Sequence, residues 1–184
     1  MKISGNTIFI AGATSGIGLG LALRLRQRGN TVIVGGRRAD RLAGIRAKHP
    51  DIDTVIIDTA DPASTAAAAD EVLDRHPNLN GLVAMAGIMQ PENLLDPAFL
   101  TTAESTVTTN LLGPLRLIAA YLPALLRQEH ATVITVSSGL AYVPLPMTPT
   151  YSATKAAIHS FTESLRAQLN CTNACRWRIR PVSR

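Results

Sequence analysis

The sequence predicts an α/β fold, a doubly wound parallel sheet sandwiched between helices in three α/β/α layers. Short β-branched or apolar runs recur at 7–11, 31–34, 54–57, 81–86 and 132–136, each of strand length and apolar throughout, as strands covered on both faces must be. Segments with helical spacing follow them at 18–28, 39–48, 62–75, 101–127 and 151–170. Strand-helix alternation of this kind winds through right-handed crossovers into a parallel sheet. At 184 residues with 46% hydrophobic content, one domain with a sizeable core is expected.

The elements carry their own punctuation. The first strand runs into Ala11-Gly12-Ala13-Thr14-Ser15-Gly16-Ile17-Gly18, and the second ends at Val34-Gly35-Gly36-Arg37-Arg38. Asp61-Pro62 opens the third helix with a capping side chain and a proline at the first helical position. Residues 101–127 read as one long helix. Five strands are predicted over residues 1–170. In the tail, 171–184, Cys175, Trp177 and Ile179 alternate with three arginines, a pattern that allows a short one-sided sixth strand but is unsuited to one covered on both faces.

Composition excludes several functions. No run reaches the roughly 18 uncharged apolar residues of a membrane span, and the N-terminus lacks a basic, apolar, cleavable signal, so a cytoplasmic protein with no membrane partner is expected. The net charge of +5 belongs to the tail: without Arg176, Arg178, Arg180 and Arg184, 14 basic residues face 13 acidic ones. A nearly neutral body argues against a nucleic-acid partner. Cys171 and Cys175 have no second pair or neighbouring histidine, so free thiols and no metal site are expected.

The glycine-rich turn points to a ligand. Between a strand and a helix, Gly12, Gly16 and Gly18 permit a tight turn and close backbone approach, while Thr14, Ser15 and Ile17 fill the loop over a helix N-terminus, where an anionic pyrophosphate is favoured. This is the placement of a Rossmann-like dinucleotide site, although glycines also serve simply to turn a chain. At the end of the second strand, where a carboxylate would take the adenosine ribose hydroxyls, stand Arg37 and Arg38. Guanidinium groups suit a 2′-phosphate, so NADP(H) is favoured over NAD(H). The plainer reading is a solvated pair of arginines, which would put positive charge against a helix N-terminus with nothing to offset it.

A catalytic set lies downstream. Tyr151-Ser152-Ala153-Thr154-Lys155 places a phenol and an ammonium one turn apart on one helix face. A phenol, with an ordinary pKa near ~10, is a poor proton carrier at neutral pH unless positive charge attends it. Ser138, thirteen residues before Tyr151, falls just past the fifth strand, at the edge where open parallel sheets bind ligands. Asn110, in Thr109-Asn110-Leu111-Leu112-Gly113, is a polar residue among apolar ones in the long helix, and reads equally as an interior asparagine with satisfied bonds.

With the Gly-x-x-x-Gly-x-Gly turn, Ser138, Tyr151 and Lys155 in order, the chain from about residue 2 to residue 170 resembles the short-chain dehydrogenase/reductase family. The stretches Asn110-Leu111-Leu112-Gly113-Pro114 and 137–155 resemble bacterial short-chain oxidoreductases of undefined substrate, some linked with D-alanylation of teichoic acid. The resemblance implies that Tyr151 exchanges a proton with a small alcohol or carbonyl substrate, Ser138 orients the reacting oxygen, Lys155 supports the tyrosine and binds the nicotinamide ribose, and Asn110 positions a relay water. It implies cofactor contacts at Asp58, Thr59, Ala86 and Gly87, with Asp58 otherwise a simple turn residue. It implies a homodimer or homotetramer through helices 101–127 and 151–170.

Two departures stand out. The family's Asn-Asn-Ala-Gly after the fourth strand is here Ala84-Met85-Ala86-Gly87, removing two amide side chains that brace the sheet. Family members also continue well beyond this tail, with further strands and a substrate lid, and the Cys-, Arg- and Trp-rich tail suggests a truncation or a shifted reading frame near residue 170. The alternative function is therefore a truncated or frameshifted member that binds nucleotide or oligomerises without turnover.

Overall fold

The computed structural model describes residues 3–170 and 178–182, so a frame shift near residue 170 falls largely outside the described residues. Six parallel strands form one sheet in the order β3-β2-β1-β4-β5-β6: β1 Thr7–Ala11, β2 Thr31–Gly36, β3 Asp53–Ile56, β4 Gly81–Ala84, β5 Thr132–Val136 and β6 Arg178–Val182. The five expected strands are present within two residues of their predicted bounds. The sixth strand, left open by the sequence, is present: β6 pairs with β5 from Thr132 against Arg178 to Val136 against Val182. Among the described strands it lies at the edge of the sheet, the position where a proline such as Pro181 is tolerated.

The core follows the two-residue period of the strands. Phe9, Ile33, Leu82 and Val133 face a cluster with Ala68, Val72, Leu117, Tyr121, Leu125 and Leu165, supplied by α3 (Pro62–Arg75), α5 (Gly113–Leu126) and α6 (Pro149–Asn170). Ile8, Ile10, Val32, Val34 and Val83 face the other way, against Ala22, Leu42 and Ile45 of α1 (Gly16–Gln27) and α2 (Ala39–Lys48). Three layers result. Asp61 caps α3 as expected, accepting from the Ala63 N–H at 2.9 Å.

The long helix expected over 101–127 is broken. α4 (Phe99–Val107) passes into a π-turn at Thr108–Leu112 and then into α5. Pro114 is the cause available in the sequence: it has no N–H for the carbonyl of Asn110, four residues back, and its ring would clash with that carbonyl. The turn widens, and the Gly113 N–H bonds Thr108 O, five residues back. An 18-residue window within Phe99–Leu126 has mean hydropathy 1.3 and passes a length and composition test for a membrane span, although Glu104 and Arg116 keep the segment from being an uncharged apolar run. Within this run Leu117, Ile118, Tyr121 and Leu125 are core residues under the sheet.

Three asparagines lock the strand starts. Asn30 Oδ1 accepts from both the backbone N–H and the side chain of Asn6 (3.0 and 2.7 Å), the Thr7 N–H donates to Asn80 Oδ1 (2.9 Å), and Asn80 Nδ2 donates to Asn6 Oδ1 (3.3 Å). The register of β1, β2 and β4 is thereby held by side chains where the ladder begins.

At the start of β3, the Asp53 carboxylate accepts from Arg75 Nη1 at 2.5 and 2.6 Å and meets His76 Nε2 at 2.8 Å. Burial alone would push its carboxyl up, but the His76 hydrogen bond, the Thr54 N–H and Arg75 outweigh it and hold it below the ordinary 3.8. Since the folded value is the lower one, the contribution is complete above the ordinary value and fades as pH falls through the folded one. Urea denaturation should find Asp53→Asn less stable than wild type by roughly 0.5–1 kcal/mol at neutral pH, the network being partly exposed and screened. The gap should close below about pH 4.

Candidate functional site

The sheet opens at its C-terminal edge between β1 and β4, where the chain winds outward in two directions and ligands of open α/β sheets bind. Gly12 leaves β1 with φ +90°, and a Cβ there would stand 2.6 Å from the backbone of Ala86, across the opening. Gly16 (φ +57°) starts α1. At Gly18 a Cβ would come within 2.6 Å of Gly12 O. The turn therefore lies flat against the β4 loop and aims the first turn of α1 into the opening. No acidic side chain occupies that first turn, so its unpaired N–H groups and positive end are left for an anion.

A cleft of about 270 Å³ follows, lined by Gly12, Thr14, Ser15, Arg37, Arg38, Asp58, Thr59, Ala86 and Gly87 of the expected set. Arg38 Nη2 donates to Thr14 Oγ1 (3.2 Å) and reaches Ser15 Oγ (3.5 Å), folding the guanidinium over the glycine-rich turn. Arg37 lies 4.0 Å from Asp58. Asp58 carries both readings: its Oδ1 accepts the Ala60 N–H (3.0 Å), a turn bond, while the residue also lines the cleft. Ile17, 55% exposed, is not among the lining residues.

A second cleft shares Met85, Gly87 and Ile88 with the first and continues to Ser138, Tyr151 and Lys155. Lys155 is buried; its Nζ donates to Val136 O at 2.8 Å and stands 5.5 Å from the centre of the Tyr151 ring. Ser137 Oγ donates to Lys155 O (2.9 Å), fixing this turn of α6 to the end of β5. Ser138 Oγ accepts the Leu140 N–H (3.2 Å), capping a 3-10 turn at Gly139–Ala141. One lone pair is thus engaged, which leaves the O–H and a second lone pair for other partners.

Asn110 does not line either cleft but holds their common wall. Its Oδ1 accepts from the Ile88 N–H and its Nδ2 donates to Ile88 O, both at 2.8 Å, with Thr154 Oγ1 at 3.4 Å from Nδ2. Both amide atoms are committed, so the side chain itself has little left for a relay water. Together with the Met85 N–H to Ala11 O bond (3.2 Å), this braces the loop in which the family's two asparagines are replaced. Met85, Ile88, Thr109 and Val136 line the site without having been expected there; they are apolar or small residues whose contribution is position, which no side-chain chemistry in the sequence announces. Among the described residues no cluster of His, Cys, Asp or Glu is arranged for a metal.

A family model described as short chain dehydrogenase matches residues 6–180. The chain is 41% identical over 176 residues to the uncharacterized oxidoreductase DltE of Bacillus subtilis (strain 168), covering 94% of this chain and 69% of that protein. It is similar to the structure of a 3-ketoacyl-(acyl-carrier-protein) reductase from Brucella melitensis complexed with NADH (26% identity, TM-score 0.86, 99% of this chain and 75% of that one). It is also similar to a gluconate 5-dehydrogenase from Burkholderia cenocepacia J2315 in complex with NADP and tartrate (25% identity, TM-score 0.85, 98% and 70%). Of several other curated relatives the chain spans about half the length, 49% to 53%.

Asn110→Ala should strand both polar groups of Ile88 at the cleft wall, at a cost of about 2 kcal/mol in urea denaturation. A variant as stable as wild type would mean that Ile88 is held by something other than this amide.

Proposed function

The chain belongs to the short-chain dehydrogenase/reductase family, and from that premise we propose an NADP(H)-dependent oxidoreductase acting on a small alcohol or carbonyl compound. The observation that carries this reading is the shared wall of the two clefts: Met85, Gly87 and Ile88 border both the anion-binding turn and the Ser138, Tyr151, Lys155 group. A cofactor lying along one cleft would end beside the other.

The residues present fit a phosphorylated dinucleotide. The turn excludes a Cβ at Gly12 and Gly18, which suits close backbone approach to a pyrophosphate. Arg38, already folded over Thr14 and Ser15, and Arg37 supply positive charge where a 2′-phosphate would fall. Asp58 and Thr59 border the adenine end, Ala86 and Gly87 the ribose and nicotinamide end, and Lys155 would meet the nicotinamide ribose. When bound, the nicotinamide group supplies or takes up the hydride. Tyr151 hands a proton to the carbonyl oxygen in reduction, or takes one from the alcohol in oxidation. Ser138, whose oxygen also accepts from the Leu140 N–H, donates its hydroxyl hydrogen to the same oxygen as charge develops there. Lys155 sets a positive charge beside the phenol, stabilising negative charge on its oxygen as the proton leaves. With Pro114 unable to donate to it, the Asn110 carbonyl is the group at that position suited to hold a relay water. Self-association through the helices of 101–127 and 151–170, in a cytoplasmic protein, belongs to the same reading.

Titration with NADPH and NADH, followed by nicotinamide fluorescence, should show NADPH bound at least about tenfold more tightly, with Arg38→Ala abolishing the difference. In a carbonyl panel Tyr151→Phe should lower kcat by about a hundredfold or more. Tighter NADH binding would refute the cofactor assignment, and turnover surviving in Tyr151→Phe would refute the mechanism. NADPH binding without turnover in wild type would assign the chain to nucleotide binding alone.

A further inference from the structure

The segment that leaves β4 is fastened at two points as it passes the clefts. At Ile88 the fastener is Asn110. Four residues on, the Glu92 N–H donates to Met147 O at 2.9 Å, and Glu92 Oε2 accepts the Thr150 N–H at 2.9 Å. Thr150 immediately precedes Tyr151. Pro149 opens α6 and has no N–H, so the Thr150 amide is the first that this helix presents. No acidic residue of α6 lies in its own first turn to take it; the carboxylate arrives from 58 residues away. Glu92 Oε1 and Thr148 Oγ1, both at this helix start, are buried with no hydrogen-bond partner among the described residues. Holding a carboxylate with one oxygen dry is unfavourable unless the helix end attracts it.

We propose that Glu92 is a positioning residue for Tyr151. It ties the wall of the cofactor cleft to the first turn of α6, so that Gly87 and Ile88 on one side and the phenol on the other keep a fixed spacing. Productive proton transfer depends on that spacing, because an error of about an ångström in the placement of a reacting group is enough to slow a reaction severely. The kinetic part of the inference rests on the reading of Tyr151 as the proton-transfer residue; the structural part does not.

The test compares the full chain with Glu92→Ala and Glu92→Gln by amide hydrogen exchange, NADPH titration and steady-state kinetics. In Glu92→Ala the amides of residues 150–155 should exchange about fivefold faster while the rest of α6 keeps its protection. NADPH affinity and the carbonyl KM should stay within about twofold, and kcat should fall about tenfold. Glu92→Gln keeps an acceptor oxygen for Thr150 and should recover both exchange and kcat. Unchanged exchange in Glu92→Ala, a loss confined to NADPH affinity, or a glutamine variant no better than alanine would each overturn the proposal. Failure of the oxidoreductase reading would show separately, as wild type without NADPH-dependent turnover. The exchange comparison then decides alone: faster exchange confined to 150–155 and recovered by glutamine sustains the clamp, and any other pattern removes it.

Discussion

The backbones of Gly12 and Ala86 face each other across the split in the sheet with no room for a methyl group between them. This contact is what the rest of the site depends on. It requires β1 and β4 to be neighbours in parallel register, with Ala11 opposite Ala84, which in turn requires the chain to wind through β2 and β3 on one side before returning. It presses the glycine-rich turn against the β4 loop, so the floor of the first cleft and the wall of the second become one surface. A side chain at residue 12 would push the loop away and part the two.

The sequence made the repetitive part of this arrangement legible. Alternation of apolar runs with helical segments located five strands and four of the helices to within about two residues, because burial on both faces leaves a local imprint in each segment. The Asp61-Pro62 start, the glycine turn and the order Ser138, Tyr151, Lys155 were equally local. Features that depend on distant partners were not legible. Asn6, Asn30 and Asn80 look like ordinary turn residues until the fold brings three strand starts together. Glu92 has nothing nearby in sequence to mark it. The π-turn has one local sign, Pro114, whose ring opposes the carbonyl of Asn110, set against an apolar periodicity over 101–127 that reads as one unbroken helix. β6 was left open by its alternating arginines, and its pairing with β5 depends on a partner more than forty residues away that no local pattern announces.

The three tyrosines show how environment, not residue type, assigns a role. Tyr121 is wholly buried, stacks on Phe9 with ring centres 5.1 Å apart and donates to Ala68 O at 3.2 Å. Burial, with Glu71 adding to it, pushes its phenol well above the ordinary range, so it is a core residue with a satisfied hydroxyl. Tyr142 is 60% exposed and meets the His159 ring at 3.2 Å. Only Tyr151 combines a cleft position with a cation beside its ring, and that cation is held by a backbone carbonyl at the end of β5. Its place comes from the start of α6, and the start of α6 is held from outside the helix.

Arg37 and Arg38 differ in the same way. Two guanidinium groups beside the positive end of a helix repel one another and the helix, so their placement needs an explanation. Arg37 leans towards Asp58 at 4.0 Å with both side chains substantially exposed, an attraction of at most about 1 kcal/mol in water, easily exchanged for a phosphate. Arg38 is held by neutral hydroxyls of Thr14 and Ser15, which orient it without neutralising it. One arginine is therefore fixed in place with its charge unspent, and the other is loosely parked within reach. A carboxylate at this strand end would suit ribose hydroxyls and repel a phosphate; two guanidinium groups would do the reverse, and the hydroxyls that orient Arg38 belong to the glycine-rich turn itself. The orientation of Arg38 and the shape of the glycine-rich turn are thus built into one loop, and a change that disturbs the turn should disturb both.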